Sequence, residues 1–156
     1  MGLRDRFNEA MKDAMRAKQA KRLSTVRLIL AAVKDRDIAA RTEASREAVS
    51  DEEILALLAK MIKQREESAA TYESGGRPEL AAGEREEIVI IREFMPRQLS
   101  TEETRAAVAE AVAATGAASL KDMGKVMAAL KERYAGSMDF AKAGAEVKEL
   151  LAKPKT

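Results

Sequence analysis

The sequence contains no cysteine, no histidine and no tryptophan among its 156 residues. Without cysteine the chain can form neither a disulfide nor a thiolate metal site. Without histidine it lacks the commonest metal ligand and the side chain that exchanges protons near neutral pH. These absences predict a protein with no metal site, no cofactor and no catalytic residue that the sequence identifies.

Aromatic residues make up only 3% of the chain, and there are only three prolines. The hydrophobic share of 46% must therefore come mainly from Ala, Leu, Ile, Val and eight Met, a composition that favours helix over sheet. No stretch approaches the roughly 18 apolar residues of a membrane span, and the first residues, MGLRDRFNEA, are charged where a signal peptide is apolar. We therefore expect a soluble cytoplasmic protein with no membrane partner.

Charge is nearly balanced over the whole chain but unevenly distributed along it. No acid occurs between Asp13 and Asp35, whereas residues 43–93 carry thirteen acids against seven bases. Residues 96–156 carry ten bases against eight acids. The net charge of +2 therefore conceals one basic and one acidic segment, which either pair with each other or face different partners.

One ten-residue stretch, FMPRQLSTEE, ends one helix and begins another. Pro96 cannot donate a backbone hydrogen bond and disfavours helical geometry in the residue before it, so the preceding helix must end there. Ser100 and Glu103 have the spacing of a capping box, in which each side chain accepts a hydrogen bond from the other residue's amide. The stretch predicts a boundary between a domain of residues 1–95 and a smaller domain of residues 96–156.

Apolar residues recur at helical spacing, and every element that we identify is helical. The first helix is expected to be the least anchored, and its apolar stripe comprises Leu3, Phe7, Met11, Ala14 and Met15. The further predicted helices cover residues 21–40, 50–72, 78–95, 101–114, 119–134 and 140–152. The expected fold is all-α, with an N-terminal helical bundle followed by a smaller three-helix domain.

Several local features refine this prediction. Ser50, Ser119 and Asp139 stand where helix-capping side chains are expected. The apolar run IVII, residues 88–91, predicts the most enclosed segment of the first domain. Residues 42–49 are predicted to form a connection and the terminal KPKT to be frayed.

Side chains that often act in catalysis occur here only in patterns typical of ordinary helices. Adjacent carboxylates such as Glu66 and Glu67 point in different directions from an exposed helix, so they do not form a general acid and base pair. Ser24 and Thr25 lie near Lys21, but the sequence shows no sharp turn to present a nucleophile. We interpret these residues as solvated charges and satisfied hydroxyls.

Gly124 interrupts KDMGKVMAAL, a segment otherwise made of good helix formers, although an interior glycine costs a helix about 1 kcal/mol relative to alanine. One interpretation is close packing against the last helix, for example at Gly144. The other is close approach of a nucleic-acid backbone, with Lys121 and Lys125 one turn apart to bind phosphates. Met123, Met127, Leu130 and Tyr134 recur at helical spacing and are interpreted as core.

The acid-free segment is a second candidate for nucleic-acid binding, because spaced bases on a helix meet backbone phosphates. The alternative is that these bases pair with the neighbouring acidic helices. The sequence leaves both interpretations open. The candidate residues are Arg16, Lys18, Lys21, Arg22, Arg27 and Lys34.

Four segments together, LSTVRLILAAVKDRDI, KMIKQREES, FMPRQLSTEE and KDMGKVMAALKERYAG, resemble the YqeY family, also called GatB/YqeY-domain proteins. The resemblance covers nearly the whole chain. It implies an all-helical protein with an N-terminal domain and a smaller three-helix C-terminal domain. It also implies similarity to the C-terminal part of the B subunit of glutamine-dependent tRNA amidotransferase, where the equivalent region contacts tRNA rather than performing chemistry.

The resemblance implies a tRNA-facing role for Lys121, Gly124 and Lys125, which lie in the matching segment KDMGKVM. The sequence departs from the family's glycine-rich basic turn after Tyr134, where it reads AGSMDFAKAG. The leading hypothesis is therefore a non-catalytic tRNA-binding-like module. The alternatives are a protein-interaction adaptor that uses the acidic third and fourth helices, and an accessory component of an amidotransferase assembly.

Overall fold

The computed structural model describes residues 2–41 and 48–152, and within these ranges the chain forms α-helices and no strand. The all-α prediction is confirmed. The predicted connection falls largely on residues 42–47 and the predicted frayed tail on residues 153–156, both outside the described residues. The helices are α1 Leu3–Arg16, α2 Ala20–Ala40, α3 Asp51–Ser74, α4 Pro78–Arg92, α5 Thr101–Thr115, α6 Met123–Tyr134 and α7 Phe140–Ala152, and a 3₁₀ turn, Leu120–Asp122, precedes α6.

Local capping explains where several of these helices begin. The Ser50 hydroxyl accepts a hydrogen bond from the Glu53 amide at 3.2 Å, and Ser100 and Glu103 form the complete reciprocal capping box. The Asp139 carboxylate accepts hydrogen bonds from the amides of Ala141 and Lys142 in the first turn of α7. The predicted caps at Ser50, Ser100 and Asp139 are therefore confirmed. At Ser119 the reverse hydrogen bond is present, from the Ser119 amide to the Asp122 carboxylate at 3.3 Å.

Helix α4 ends at Arg92, three residues before the predicted end. The amides of Glu93, Phe94 and Met95 each donate to a carbonyl three residues back rather than four. This tightening of the last turn is a common way to satisfy the carbonyls at a helix end. None of the helices in the described ranges is long and apolar enough to span a lipid bilayer.

The chain divides into two compact units, an N-terminal unit of Met1–Met95 and a C-terminal unit of Pro96–Thr156. In the N-terminal unit, α3 and α4 pack together most extensively, and α1 packs on α2. Burial of apolar side chains is the main stabilising contribution to such a core. Its largest fully buried apolar side chains are Phe7, Val26, Ile29, Ile54, Leu58 and Ile91.

Helix α1 is firmly attached, and the prediction that it is the least anchored element is wrong. Arg4 donates two hydrogen bonds to Asp37 of α2, at 2.8 and 2.7 Å, and a third to the carbonyl of Val49. Asp37 in turn accepts from the Val49 amide at 2.9 Å. Met15 is 52% exposed rather than part of the buried stripe. The anchoring comes from contacts between residues far apart in the sequence, which a local apolar pattern does not reveal.

Replacing Asp37 with asparagine is expected to lower the free energy of unfolding at neutral pH by about 2 kcal/mol, because hydrogen bonds between charged groups are weakened. Hydrogen bonds from Arg4 lower the pKa of Asp37 from 3.8 to about 2. This contribution is therefore present above the ordinary pKa of an aspartate and is lost as the pH falls through the folded-state pKa.

Denaturant unfolding of wild type and Asp37→Asn at neutral pH and near pH 2 tests this prediction. The difference in stability should be clear at neutral pH and should shrink at the acidic end. Asp35→Asn is the control, since Asp35 is exposed and has no hydrogen-bond or ion-pair partner among the described residues. A difference for Asp37→Asn that does not depend on pH would contradict the assigned role.

The IVII run of α4 is not enclosed on all sides as predicted. Ile88 and Ile91 are buried, but Val89 is 61% exposed. Neighbouring helices cover only one side of α4, so the residue on the opposite side remains in water even where the sequence is apolar.

The C-terminal unit packs α5, α6 and α7 around a core of its own. Its linker is held by backbone bonding, since the amide of Leu99 donates to the carbonyl of Ser137 at 2.8 Å. Gly116 ends α5 in the left-handed conformation, with φ of 68°, which favours glycine. The buried core residues are Ala107, Val108, Val126, Leu130, Met138, Ala143, Val147 and Leu151.

Candidate nucleic-acid interface

The first candidate surface surrounds the start of α6. Lys121 lies in the 3₁₀ turn, and Gly124 and Lys125 lie in the first turn of α6. The Asp122 carboxylate fixes this turn by accepting hydrogen bonds from the amides of Ala118, at 2.9 Å, and Ser119. These two hydrogen bonds lower the pKa of Asp122, and the nearby charge of Lys125 adds to the effect.

The core-facing side of α6 determines which residues face outward. Val126 and Leu130 are buried in the core of the C-terminal unit. Met123, Met127 and Tyr134 pack against the same core, as the sequence predicts. Lys121, Gly124 and Lys125 are all exposed.

Gly124 has no role in helix packing, so that interpretation of it is wrong. A Cβ atom built at Gly124 would meet no atom within 4 Å. Gly144 of α7 instead lies against α6, where its Cβ would stand 3.7 Å from the Cε atom of Met123 and 3.9 Å from that of Met127. Nothing in the described chain therefore occupies the space beside Gly124.

Two further residues that were not predicted from the sequence extend this surface. Ala128 and Lys131 follow Gly124 by four and seven residues, which places them on the same side of α6. Ala128 and Lys131 are both exposed. The spacing alone was sufficient to find them. We call Lys121, Gly124, Lys125, Ala128 and Lys131 the α6 surface.

The ammonium groups of Lys121 and Lys125 form no hydrogen bond or ion pair with any residue of 2–41 and 48–152. Both ammonium groups are therefore available to an external anion. The surface carries no aromatic side chain, because Tyr134 packs inward. It can meet a phosphate backbone, but it cannot stack on an exposed base.

The acid-free segment divides into paired and unpaired bases. Arg16 forms an ion pair with Asp13 at 3.3 Å on its own helix. Lys21 lies 3.6 Å from Glu87 of α4, and Arg22 forms an ion pair with Glu93 just after α4. Pairing with the acidic helices, one of the two open interpretations, is thus correct for Lys21 and Arg22.

The pair between Lys21 and Glu87 is part of a larger polar junction. Arg65 of α3 donates to the second carboxylate oxygen of Glu87 at 2.9 Å, and both side chains are mostly buried. One carboxylate therefore joins three helices. Lys21 is held in place as part of the fold, which makes it a weaker candidate for binding an external phosphate.

Three bases of the segment remain available, namely Lys18, Arg27 and Lys34. Each of these side chains is exposed and forms no hydrogen bond or ion pair with the described part of the chain. Lys18 also has a φ of 57°, a backbone conformation that residues other than glycine adopt at a cost in free energy. The N-terminus of α2 beside it has no capping side chain and no acid in its first turn.

The described residues contain no group of three or more acidic, histidine or cysteine side chains placed to hold a metal ion. Several acids of α3 and α4 are engaged with bases of the same unit, as in Glu73 with Arg85 at 2.7 Å and Glu66 with Arg92 at 3.1 Å. The acidic segment thus has less unpaired charge than its composition indicates.

A comparison with curated proteins found none that matches this chain. A comparison with family models found one that describes YqeY-like proteins and matches residues 4–151. The match includes both units and every helix except the first residue of α1 and the last residue of α7. The chain therefore belongs to the family of YqeY-like proteins.

Proposed function

We propose that this protein is a non-catalytic, tRNA-binding helical module and that the α6 surface contacts the tRNA backbone. The observation that carries the proposal is the open space beside Gly124, flanked by two exposed lysines whose ammonium groups have no partner among the described residues. A glycine that the fold does not need is explained if another molecule comes close at that point. The resemblance to the tRNA-contacting region of an amidotransferase subunit supports the same surface.

The chemistry of the surface favours contacts with phosphate and sugar rather than with bases. Lysine ammonium groups act as point charges toward phosphates, and such contacts position a nucleic acid without reading its sequence. Sequence-specific recognition of RNA generally uses aromatic stacking on splayed bases, which this surface cannot provide. Binding should therefore depend strongly on salt and weakly on sequence.

The proposal assigns no chemical step to this chain. Glutamine hydrolysis and activation of an aminoacyl end each need catalytic groups that the sequence does not identify. A role beside an amidotransferase would be that of an accessory component which binds the tRNA while other subunits catalyse the reaction.

Replacing both Lys121 and Lys125 with alanine is expected to weaken tRNA binding to a similar extent for different tRNA sequences. The slope of log affinity against log salt should fall by about two, since each lost phosphate contact accounts for roughly one. Filter binding over a series of salt concentrations measures both quantities. Lys148→Ala together with Lys142→Ala on α7 is the charge-matched control, with the same loss of two positive charges at other positions.

If the Lys121/Lys125 variant is folded and keeps its affinity and its salt slope, the α6 surface is not the binding site. The unpaired bases Lys18, Arg27 and Lys34 would then be tested in the same way. If the wild-type protein binds no tRNA at any salt concentration, the proposal that this protein binds tRNA is wrong. Partner capture with and without ribonuclease would then test the protein adaptor that uses the acidic helices.

Replacing Gly124 with leucine is expected to weaken tRNA binding without destabilising the protein. A Cβ atom at this position meets no other atom within 4 Å in the free protein, so the new side chain starts into open space. It would stand between α6 and an approaching backbone. Circular dichroism melts and filter binding on the same preparation separate the two effects.

The matched control for this variant is Ala128→Leu, one turn further along the α6 surface. If the backbone approaches only at Gly124, this substitution should have the smaller effect on binding. A lower melting temperature for Gly124→Leu with unchanged tRNA affinity would contradict the assignment.

A further inference from the structure

Asp122 is an acid that lies between the two lysines of the α6 surface. It directly follows Lys121 and precedes Lys125 by three residues, so the three side chains begin within about one helical turn. A negative charge at this position repels an approaching phosphate backbone. Electrostatics alone therefore predicts that removing the charge would strengthen tRNA binding. The hydrogen bonds of Asp122 indicate the opposite result.

These hydrogen bonds join the connection after α5 to the 3₁₀ turn that carries Lys121. The Asp122 carboxylate accepts from the amide of Ala118 at 2.9 Å and from that of Ser119 at 3.3 Å. The Asp122 amide donates to the carbonyl of Ser119 at 2.9 Å. Lys121 is the middle residue of the turn Leu120–Asp122, so the position of its backbone depends on these bonds.

Burial of side chains does little to fix this stretch. Residues 118–121 are all exposed. Ala117 before the stretch and Met123 after it pack against the core of the C-terminal unit. Packing therefore fixes the two ends, and the hydrogen bonds of Asp122 fix the backbone between them.

We propose that Asp122 is a positioning residue for tRNA binding, whose carboxylate holds the turn in the conformation in which Lys121 meets a phosphate. This inference rests on the proposed function of the α6 surface and names the residue that arranges the surface before tRNA binds. Without the two bonds to the carboxylate, residues 118–121 would become ordered only on binding, and the backbone entropy lost then would weaken binding.

The two effects of Asp122 differ in size. Ordering the backbone of even one residue on binding weakens affinity about tenfold. Removing one exposed charge strengthens phosphate binding by no more than a few-fold, since interactions between exposed charges are weak in water. Loss of positioning should therefore outweigh relief of the repulsion.

The test compares Asp122→Ala with Asp122→Asn by filter binding of tRNA to the full-length protein. Both variants remove the charge, but asparagine keeps an oxygen that can accept from the two amides and caps helices as well as aspartate does. We expect Asp122→Ala to bind about tenfold more weakly than wild type. Asp122→Asn should bind as tightly as wild type or a few-fold more tightly.

Glu132→Gln is the control for loss of charge alone. Glu132 is an exposed acid of α6 that forms no hydrogen bond or ion pair with residues 2–41 and 48–152. Its variant should behave like Asp122→Asn. Circular dichroism melts verify folding, and Asp122→Glu serves if Asp122→Ala does not fold. Glutamate keeps the charge but places the carboxylate one methylene away from its position in wild type, so this variant should also bind more weakly.

A double-mutant cycle with Lys121→Ala shows whether Asp122 acts through Lys121. When Lys121 is absent, the turn need not be ordered for binding, so Asp122→Ala should no longer weaken affinity. A general loss of stability would instead weaken binding equally in both backgrounds.

Three results would overturn the role of Asp122 while wild-type protein still binds tRNA. They are equal affinities of Asp122→Ala and Asp122→Asn, wild-type affinity of Asp122→Glu, and an equal loss with and without Lys121. Absence of tRNA binding by the wild-type protein would instead overturn the proposed function, and this inference with it.

Discussion

Replacing Phe7 with alanine is expected to lower the free energy of unfolding of the N-terminal unit by about 4 kcal/mol. Phe7 is completely buried, and its ring packs edge-on against Phe94 with 5.0 Å between the ring centroids. The substitution removes the ring, leaves a cavity and ends this aromatic contact. Because small domains are stable by only about 5–15 kcal/mol, a large part of the stability would be lost.

The same substitution also affects the end of α4. Arg6, the neighbour of Phe7, lies over the Phe94 ring at 5.6 Å and donates to the carbonyls of Glu93 and Phe94. Denaturant unfolding of Phe7→Ala, with a probe in the N-terminal unit, measures the loss of unfolding free energy. Met15→Ala on the same helix is the control and should change stability by less than about 0.5 kcal/mol.

A loss below about 1 kcal/mol for Phe7→Ala would show that α1 contributes little to the core, as the sequence alone indicated. A large effect of Met15→Ala on stability would instead indicate that Met15 belongs to the buried stripe of α1. The pair of variants therefore decides between the sequence-based description of α1 and the structural one.

Features that depend on a few neighbouring residues could be predicted from the sequence. The capping box of Ser100 and Glu103 and the cap of Asp139 are set by spacing within one turn. The all-helical class follows from composition and apolar spacing along every segment. These features can be predicted without knowing which helices pack against each other.

Features that depend on tertiary contacts could not be predicted in the same way. The apolar run of α4 does not reveal that Val89 faces water, since that depends on which side the other helices cover. The acid-free segment does not reveal that Lys21 and Arg22 bind acids more than sixty residues away. Gly124 was identified from the sequence, but only the three-dimensional structure shows that no neighbour fills the space beside it.

Thr104 of α5 shows the same limit for a single buried residue. Thr104 lies four residues after Ser100 in a helix whose sequence is otherwise unremarkable. Its burial follows from the packing of α7 on α5. No local pattern in the sequence signals such a residue.

Replacing Leu130 with alanine is expected to destabilise the C-terminal unit by about 3 kcal/mol, the typical cost of truncating a buried leucine. Leu130 is 1% exposed and belongs to the core formed by α5, α6 and α7. A unit of this small size buries little apolar surface, so its stability is marginal and the loss should unfold much of the population.

This variant also connects the fold to the proposed function, because α6 has Leu130 on its buried side and Lys125 on its exposed side. Amide hydrogen exchange should become faster throughout residues 96–152. The core of the N-terminal unit should keep its protection from exchange, because it shares no buried residue with the core of the C-terminal unit. Binding of tRNA should be lost together with this protection. Leu120→Ala, at a site 48% exposed in the same unit, is the control and should change neither quantity. Retention of full tRNA affinity by a Leu130→Ala protein whose C-terminal unit is unfolded would place the binding surface outside α6.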